Sequence, residues 1–160
     1  MKFIDAIATT PHNNKRHKQR GITDLKHIVV HHTAGNEKSP DTIARAHMAK
    51  GEQGCPYHYV VMPSGWVYKT QPVLSVTPHA KGGNTNGIGV ALVGNFMKQP
   101  PCSAQLQGLA DIISALQAEY PSLTVVAHRD VKGSRTACPG DSFPLSYPDY
   151  PKKSWDWRKP

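Results

Sequence analysis

Two apolar runs that each end in a histidine constrain the fold of this chain more than any other feature. Residues 125–127 lead into His128, and a loop rich in Gly, Ser and Pro then brings Cys138 back ten positions later. Residues 28–30 lead into His31 in the same way. Such β-branched runs predict buried strands, and imidazole and thiolate are ligands that zinc prefers. We interpret the pattern as a mononuclear zinc hydrolase with three ligands and a fourth position for water.

Each of these residues also has an ordinary structural explanation. A histidine at the end of a strand is more often structural than a metal ligand, and a single cysteine such as Cys138 is often a buried thiol. His31 and His32 are adjacent, so only one of them can face the site, because side chains alternate along a strand. If His32 or His58 supplied a fourth ligand, the same residues would instead form a closed, purely structural zinc site.

The order of predicted elements indicates an α/β fold with a mixed sheet. Strands are predicted at residues 27–32, 57–62, 66–70, 88–93 and 124–127. Ser39 is predicted to cap a helix that runs to about Lys50, and Ser103 a longer one that ends before Pro121. A turn at residues 63–65 joins two strands as a hairpin. A hairpin among alternating strands and helices predicts a single domain with a central mixed β-sheet flanked by helices.

The chain divides into two parts by composition. Its 160 residues are enough for one domain with a proper core. Residues 1–24 are polar and include the cluster KRHKQR, so they are predicted to form an irregular basic arm packed on the domain. Residues 25–160 are predicted to form the catalytic domain, with an irregular C-terminal tail that begins near Gly133.

The net charge of +8 narrows the possible partners. A basic surface is either simply solvated or binds an acidic polymer such as cell wall, nucleic acid or a membrane surface. The basic cluster has no interleaved aromatic residues, so a nucleic-acid partner is not expected. No apolar run is long enough for a transmembrane helix, and no secretory signal is visible. We therefore expect cytoplasmic synthesis without membrane insertion.

The odd number of cysteines gives no disulfide framework. The chain has three cysteines, and the predicted metal site takes Cys138. Cys55 and Cys102 remain, and the sequence does not decide whether they pair. Free, partly buried thiols are the expectation for both.

Seven short segments between residues 27 and 143 form a recognisable set. They are IVVHHTAG, YHYVV, GWVY, HAKG, NGIGVALVG, AHRD and ACPG, starting at residues 28, 57, 65, 79, 86, 127 and 137. In this order they resemble the zinc-dependent N-acetylmuramoyl-L-alanine amidases of the amidase-2 type. That family includes amidase-type phage lysozymes and peptidoglycan-recognition proteins. The resemblance implies the same fold for this chain.

The resemblance also implies roles for individual residues. One zinc ion per chain would have three ligands: His31, His128 and Cys138. His32 would occupy a variable neighbouring position. Tyr57 matches the family tyrosine that positions the zinc-bound water or stabilises the oxyanion, a role that suits a neutral phenol donor. Phage members commonly have a lysine at the position of Thr136, but threonine also occurs there in catalytically active relatives.

Because position 136 is threonine and not lysine, the group that stabilises the developing charge is left open. Thr136, Tyr57, Arg135 or His79 could supply it, and the sequence does not choose among them. His79 and Lys81 lie in the loop before a glycine-rich strand and are predicted, with Arg135, to bind the stem peptide. An ordinary solvated loop is the alternative.

The implied reaction is hydrolysis of the amide between N-acetylmuramic acid and L-alanine of the stem peptide, as in an endolysin. The alternatives are a non-catalytic peptidoglycan-binding module, and an amidase that also restrains an RNA polymerase through its basic arm. We expect a monomer that acts on peptidoglycan or muropeptides. It would reach the wall through a pore made by another protein, as phage lysins do, or serve as a cytosolic recycling amidase.

Overall fold

A six-stranded sheet lies at the centre of the computed structural model, which describes residues 1–144. The strands are β1 (Phe3–Asp5), β2 (His27–His32), β3 (Tyr59–Val61), β4 (Val67–Lys69), β5 (Gly87–Leu92) and β6 (Thr124–Ala127). The helices are α1 (Pro40–Met48) and α2 (Ser103–Glu119), with short 3-10 turns at Ile22–Asp24 and His128–Asp130.

The sheet is mixed, as predicted. Its strand order is β1-β4-β3-β5-β2-β6, and only the hairpin pair β3 and β4 is antiparallel within the described residues. β2 lies between β5 and β6 and runs parallel to both, with Val30 opposite Ala127. The carboxyl ends of β2 and β6 therefore meet at one edge of the sheet, which brings His31 and His128 to the same place.

Each face of the sheet packs against one helix. Ile28 and Val30 of β2 belong to a core cluster that also contains Leu109, Ile112 and Leu116 of α2. A second cluster joins Ile43 and Ala44 of α1 to residues such as Val60 of β3. Because side chains alternate along β2, His31 faces the side opposite to Ile28 and Val30. The α/β class and the flanking helices are confirmed.

The helix boundaries follow the predicted capping residues closely. Thr42 N–H donates to Ser39 Oγ at 3.4 Å, and Pro40 opens α1 as predicted. The cap of α2 is Cys102 rather than Ser103, one residue earlier than predicted. Cys102 is exposed and Cys55 is buried, and both thiols are free.

The N-terminal segment departs from the predicted irregular structure. β1 pairs in parallel with β4 and forms an edge of the sheet. Isolated bridges then join His12 to Gly54 and Gln19 to Ser75, so the segment lies along the domain. Phe3 and Ile4 are exposed, and nothing in so short and exposed a strand marks it in the sequence.

Two further expectations concern the membrane and the tail. Among residues 1–144, no helix has the length and apolarity needed to cross a membrane. Residues 133–144, the start of the predicted irregular tail, contain no helix or strand. The rest of the predicted tail, residues 145–160, lies outside the described residues.

Candidate metal centre

The three predicted ligands converge at the carboxyl ends of β2 and β6. The ligand atoms of His31, His128 and Cys138 lie within 4.8 Å of one another. His31 Nδ1 is 3.8 Å from Cys138 Sγ. A tetrahedral zinc ion with ordinary Zn–N and Zn–S bonds would separate such atoms by about 3.6 Å. The donor set and its spacing therefore fit zinc, although no ion is part of the structure.

The loop that carries Cys138 is tied to the turn that carries His128. Arg129 N–H donates to the Cys138 carbonyl at 2.9 Å, and Arg129 Nη1 donates to the Gly140 carbonyl at 3.1 Å. Gly140 has φ +111° and lies so close to Phe96 that a Cβ would be 2.4 Å from that residue's backbone. A glycine is therefore required here, and the loop is held in a single place.

The thiol of Cys138 sits under the backbone of β2. His32 N–H lies 3.4 Å from Cys138 Sγ and donates toward it. Burial raises the pKa of Cys138 to about 11, while the His32 N–H and the charge of Arg129 oppose this shift. A metal cation at this point would favour the thiolate instead, because the ligand must be deprotonated to bind.

Neither candidate for a fourth protein ligand is directed to the centre. His32 Nδ1 accepts from Phe96 N–H at 3.2 Å. His58 Nδ1 accepts from Gly89 N–H at 3.0 Å, and its Nε2 donates to the Ser75 carbonyl at 2.9 Å. In the part of the chain that the structure describes, the group able to hold a metal ion has three members. The geometry favours an open, catalytic type of site over a closed structural one.

His79 lies behind His31 rather than at a substrate surface, which corrects the predicted contact with the stem peptide. It is 6% exposed, its Nδ1 is 3.0 Å from His31 Nε2, and its Nε2 is 3.1 Å from the Gly87 carbonyl. A carbonyl only accepts, so His79 carries its proton on Nε2 and accepts from His31 Nε2–H. His31 Nδ1 is then left unprotonated and faces Cys138, as a metal ligand requires.

The histidines of the centre are held neutral by their surroundings. Burial, together with the neighbouring rings of His79 and His128, lowers the pKa of His31 well below its ordinary value. Burial lowers the pKa of His79 to about 3 and also lowers the pKa of His128. A metal binds the neutral form of imidazole, and these histidines are already neutral in the metal-free protein.

Tyr57 lies beside the ligands. Its ring centroid is 5.1 Å from that of His31 and 6.4 Å from that of His47. Burial, and next the neighbouring Cys138, raise the pKa of Tyr57 above its usual range, so its hydroxyl stays protonated. His47, which pairs with Glu52 at 2.6 Å, was interpreted from sequence only as a helix-face residue. Its position beside Tyr57 depends on the packing of α1 and has no local signal in the sequence.

The other residues that the sequence predicts for the site are exposed, unlike the buried His31. Thr136 Oγ1 accepts from Cys138 N–H at 3.1 Å, so its own hydroxyl proton remains available to donate. Arg135 and Lys81 are exposed. Gly82, next to Lys81, packs so tightly that a Cβ would lie 2.4 Å from the Lys132 carbonyl. The loop with Lys81 is therefore held against the chain that follows His128.

Comparison with known proteins gives one matching family and several similar proteins. The model of the Amidase_2 family, described as N-acetylmuramoyl-L-alanine amidase, matches residues 21–141. The endolysin of Escherichia phage T7 is 33% identical over 150 residues, covering 89% of this chain and 90% of the endolysin.

Solved structures show the same fold. The N-acetylmuramoyl-L-alanine amidase LysC from Clostridium intestinale URNW has a TM-score of 0.75 and 29% identity, covering 90% of this chain and 92% of that one. The Drosophila peptidoglycan recognition protein SD has a TM-score of 0.76 at 21% identity, covering 88% and 89%. At that identity the second likeness concerns the fold alone.

Proposed function

This chain belongs to the N-acetylmuramoyl-L-alanine amidase family and has the activity of a peptidoglycan amidase of the endolysin kind, and from that premise we propose how its residues carry out the reaction. The bond cleaved is the amide between N-acetylmuramic acid and L-alanine of the stem peptide. One zinc ion per chain is held by three ligands: His31, His128 and Cys138.

The convergence of these three side chains is the observation that carries the proposal. Their ligand atoms lie within 4.8 Å of one another, and His31 reaches the centre with an unprotonated Nδ1. When bound, zinc with three protein ligands supplies a Lewis acid and an acidified water molecule. A thiolate ligand donates charge and makes such an ion a milder Lewis acid, so other groups are needed to stabilise the oxyanion.

Tyr57 and Thr136 are the groups proposed for that task. Tyr57 keeps its phenolic proton because burial raises its pKa, so it can donate a hydrogen bond to a developing oxyanion. Thr136 accepts from Cys138 N–H, and this leaves its hydroxyl free to donate toward substrate. Two neutral donors would together replace the lysine that phage relatives commonly place at position 136.

Lys81 and Arg135 are proposed to bind the stem peptide. Both are exposed, and stem peptides carry carboxylates that a cationic rim would attract. The packing of Gly82 against Lys132 fixes the loop with Lys81 next to the turn after His128. The substrate would therefore approach from the side on which that loop and the Cys138 loop lie.

The experiment is a digestion of purified peptidoglycan and muropeptides by zinc-loaded protein, followed by mass spectrometry of the products. Free stem peptides with a new L-alanine amine are expected from the wild type and from His12→Ala, which replaces an exposed histidine of the N-terminal segment. His31→Ala and His128→Ala are expected to release none.

Two outcomes would contradict the proposal. Equal product from His31→Ala would mean that this residue is not a ligand of a catalytic metal. Binding of zinc and peptidoglycan without cleavage by the wild type would favour the non-catalytic binding module. The absence of a lysine at Thr136 would then be the first explanation to test for the missing activity.

We further propose that the protein acts as a monomer that is made in the cytoplasm and reaches the wall through a pore formed by another protein. Light scattering after size-exclusion chromatography tests the first part. Expression in a bacterial host with and without a separate pore-forming protein tests the second, and lysis without the pore would contradict it. A pull-down with the host RNA polymerase tests whether the N-terminal segment has a regulatory partner.

A further inference from the structure

Arg20, the last residue of the basic cluster, is buried although its neighbours are exposed. It is 7% exposed, and none of the carboxylates in residues 1–144 forms a salt bridge with it. Burial lowers the pKa of Arg20 to about 10, with Asp24 opposing the shift, so the guanidinium remains charged at neutral pH. A buried cation without a carboxylate is costly unless its N–H groups are satisfied in another way.

Backbone carbonyls of the loop before β5 and of the first residue of β5 satisfy this guanidinium. Arg20 Nε and Nη2 donate to the Val73 carbonyl at 3.2 and 2.6 Å. Arg20 Nη1 donates to the carbonyls of Asn84, Thr85 and Gly87 at 2.9, 3.1 and 2.8 Å. One side chain therefore joins the two ends of the long loop that carries His79.

The Gly87 carbonyl connects Arg20 to the metal centre. It accepts from Arg20 Nη1 at 2.8 Å and from His79 Nε2 at 3.1 Å. Because this carbonyl fixes the proton of His79 on Nε2, it also fixes His31 as the tautomer with its proton on Nε2. Moving the Gly87 carbonyl would therefore change which nitrogen of His31 is available as a ligand.

The space around His79 leaves little freedom for another arrangement. A Cβ on Gly89 would lie 2.7 Å from His79 Cγ, and one on Gly87 would lie 3.2 Å from His79 Cε1. His58, which is fully buried, lies 3.1 Å from Arg20 Nη2 and accepts from Gly89 N–H. Arg20 thus contacts both the carbonyl that orients His79 and the histidine that supports the strand beneath it.

We propose that Arg20 is a positioning residue for the metal ligand His31, acting through the Gly87 carbonyl and His79. This inference rests on the proposed function, since it concerns the ligand set of the same site. A side chain of the N-terminal segment that is not itself a ligand would thereby set the orientation and tautomer of a ligand. Partners of metal-ligating histidines typically change metal affinity by about 10- to 100-fold when they are removed.

The test compares Arg20→Met, which removes the donors while keeping a long side chain, with Arg16→Met, which removes an exposed charge from the same cluster. Zn²⁺ affinity is measured by competition with a chromophoric chelator. The histidine tautomers of the metal-free proteins are measured by long-range ¹H–¹⁵N correlation at about pH 7.5, above the ordinary histidine pKa.

In the wild type and in Arg16→Met, His31 and His79 are expected to be protonated on Nε2 only. Arg20→Met is expected to show mixed tautomers at both rings and to bind Zn²⁺ about 10- to 100-fold more weakly. A merely structural role of Arg20 would lower the melting temperature without changing the tautomers of the folded protein.

Several results would overturn the inference. Folded Arg20→Met with unchanged tautomers overturns it, whether or not its Zn²⁺ affinity falls. If Arg20→Met does not fold, the same measurements on Arg20→Lys decide, because lysine keeps the charge but cannot bond several carbonyls at once. If the wild type binds no Zn²⁺, the proposed function fails, while the tautomer comparison still decides the role of Arg20.

Discussion

Tyr57 shows how burial equips a single residue for its proposed role. A phenol can serve as a donor to an oxyanion only while it keeps its proton, and burial beside Cys138 ensures this by raising its pKa. Its ring centroid lies 5.1 Å from that of His31, which places this side chain beside a proposed metal ligand. The ring and the hydroxyl can be separated experimentally, because phenylalanine keeps the packing.

Tyr57→Phe is expected to lower kcat about 100-fold, since one oxyanion donor is lost, while Zn²⁺ affinity stays unchanged. Stem-peptide release measured over a range of substrate concentrations separates kcat from KM. Tyr59→Phe, which removes a hydroxyl from a core tyrosine of β3, is the matched control and should retain activity. Wild-type kcat in Tyr57→Phe would exclude the role.

Thr136 can be tested by the same logic, because its hydroxyl takes part in two interactions. It accepts from Cys138 N–H at 3.1 Å, and it is proposed to donate to substrate. Thr136→Val should lower kcat about tenfold, the effect of one lost hydrogen bond, and Thr136→Ser should restore most of it. Assays of stem-peptide release are run beside a zinc titration of each variant. A Thr136→Val protein with normal kcat would transfer the role to Tyr57 or Arg135.

At the scale of elements, β5 matters because its glycines leave room for His79. A Cβ on Gly89 would lie 2.7 Å from His79 Cγ, so Gly89→Ala must displace the ring that orients His31. We expect a loss of about 1–3 kcal/mol in the free energy of unfolding, as in other overpacked cores, together with weaker Zn²⁺ binding.

Urea unfolding and chelator competition measure these two effects of Gly89→Ala. Gly21→Ala is the control, because a Cβ there meets its nearest atom at an ordinary 3.6 Å and needs no unusual φ. If Gly89→Ala bound zinc as tightly as the wild type, the packing of His79 would not be what orients the ligand.

The elements that the sequence predicts well are those with a local signal. β2 and β6 are β-branched runs that end in histidine, and Ser39–Pro40 marks the start of α1. β1 has no such signal, because it is short and exposed and depends on a partner, β4, that is distant in the chain. Local patterns alone therefore predict five strands, including the edge strand β6, and miss β1 at the opposite edge.

The residues of the site also divide into those that local motifs predict and those that they do not. The three ligands lie in short motifs that are readable one by one, and the structure brings them together as the resemblance implies. His79 and Arg20 look like residues of a solvated loop and a basic cluster, yet both are buried. Their roles depend on backbone carbonyls such as that of Gly87. The position of a carbonyl depends on the fold, so residue types alone do not predict which side chain it will orient.

At the scale of the whole molecule, the buried histidines link folding to pH. Burial lowers the pKa of His31 and His58 well below the ordinary value of 6.5 and that of His79 to about 3. Below about pH 6.5 these histidines bind protons in the unfolded chain but stay neutral in the folded chain. The free energy of unfolding must therefore decrease as the pH falls. About one pH unit above that value these rings are unprotonated in both states, so they no longer lower the free energy of unfolding.

Metal-free protein is therefore expected to lose stability below about pH 6.5, with a slope approaching about 1.4 kcal/mol per pH unit for each of the three histidines. Urea unfolding in the presence of a chelator, between about pH 7.5 and pH 5.5, measures this slope. His58→Gln removes one of the titrating rings, so its slope should be smaller by about 1.4 kcal/mol per pH unit. A stability that does not change over this range would mean that the three rings are accessible to protons in the folded protein, and the tautomers on which the ligand geometry depends would then not be fixed.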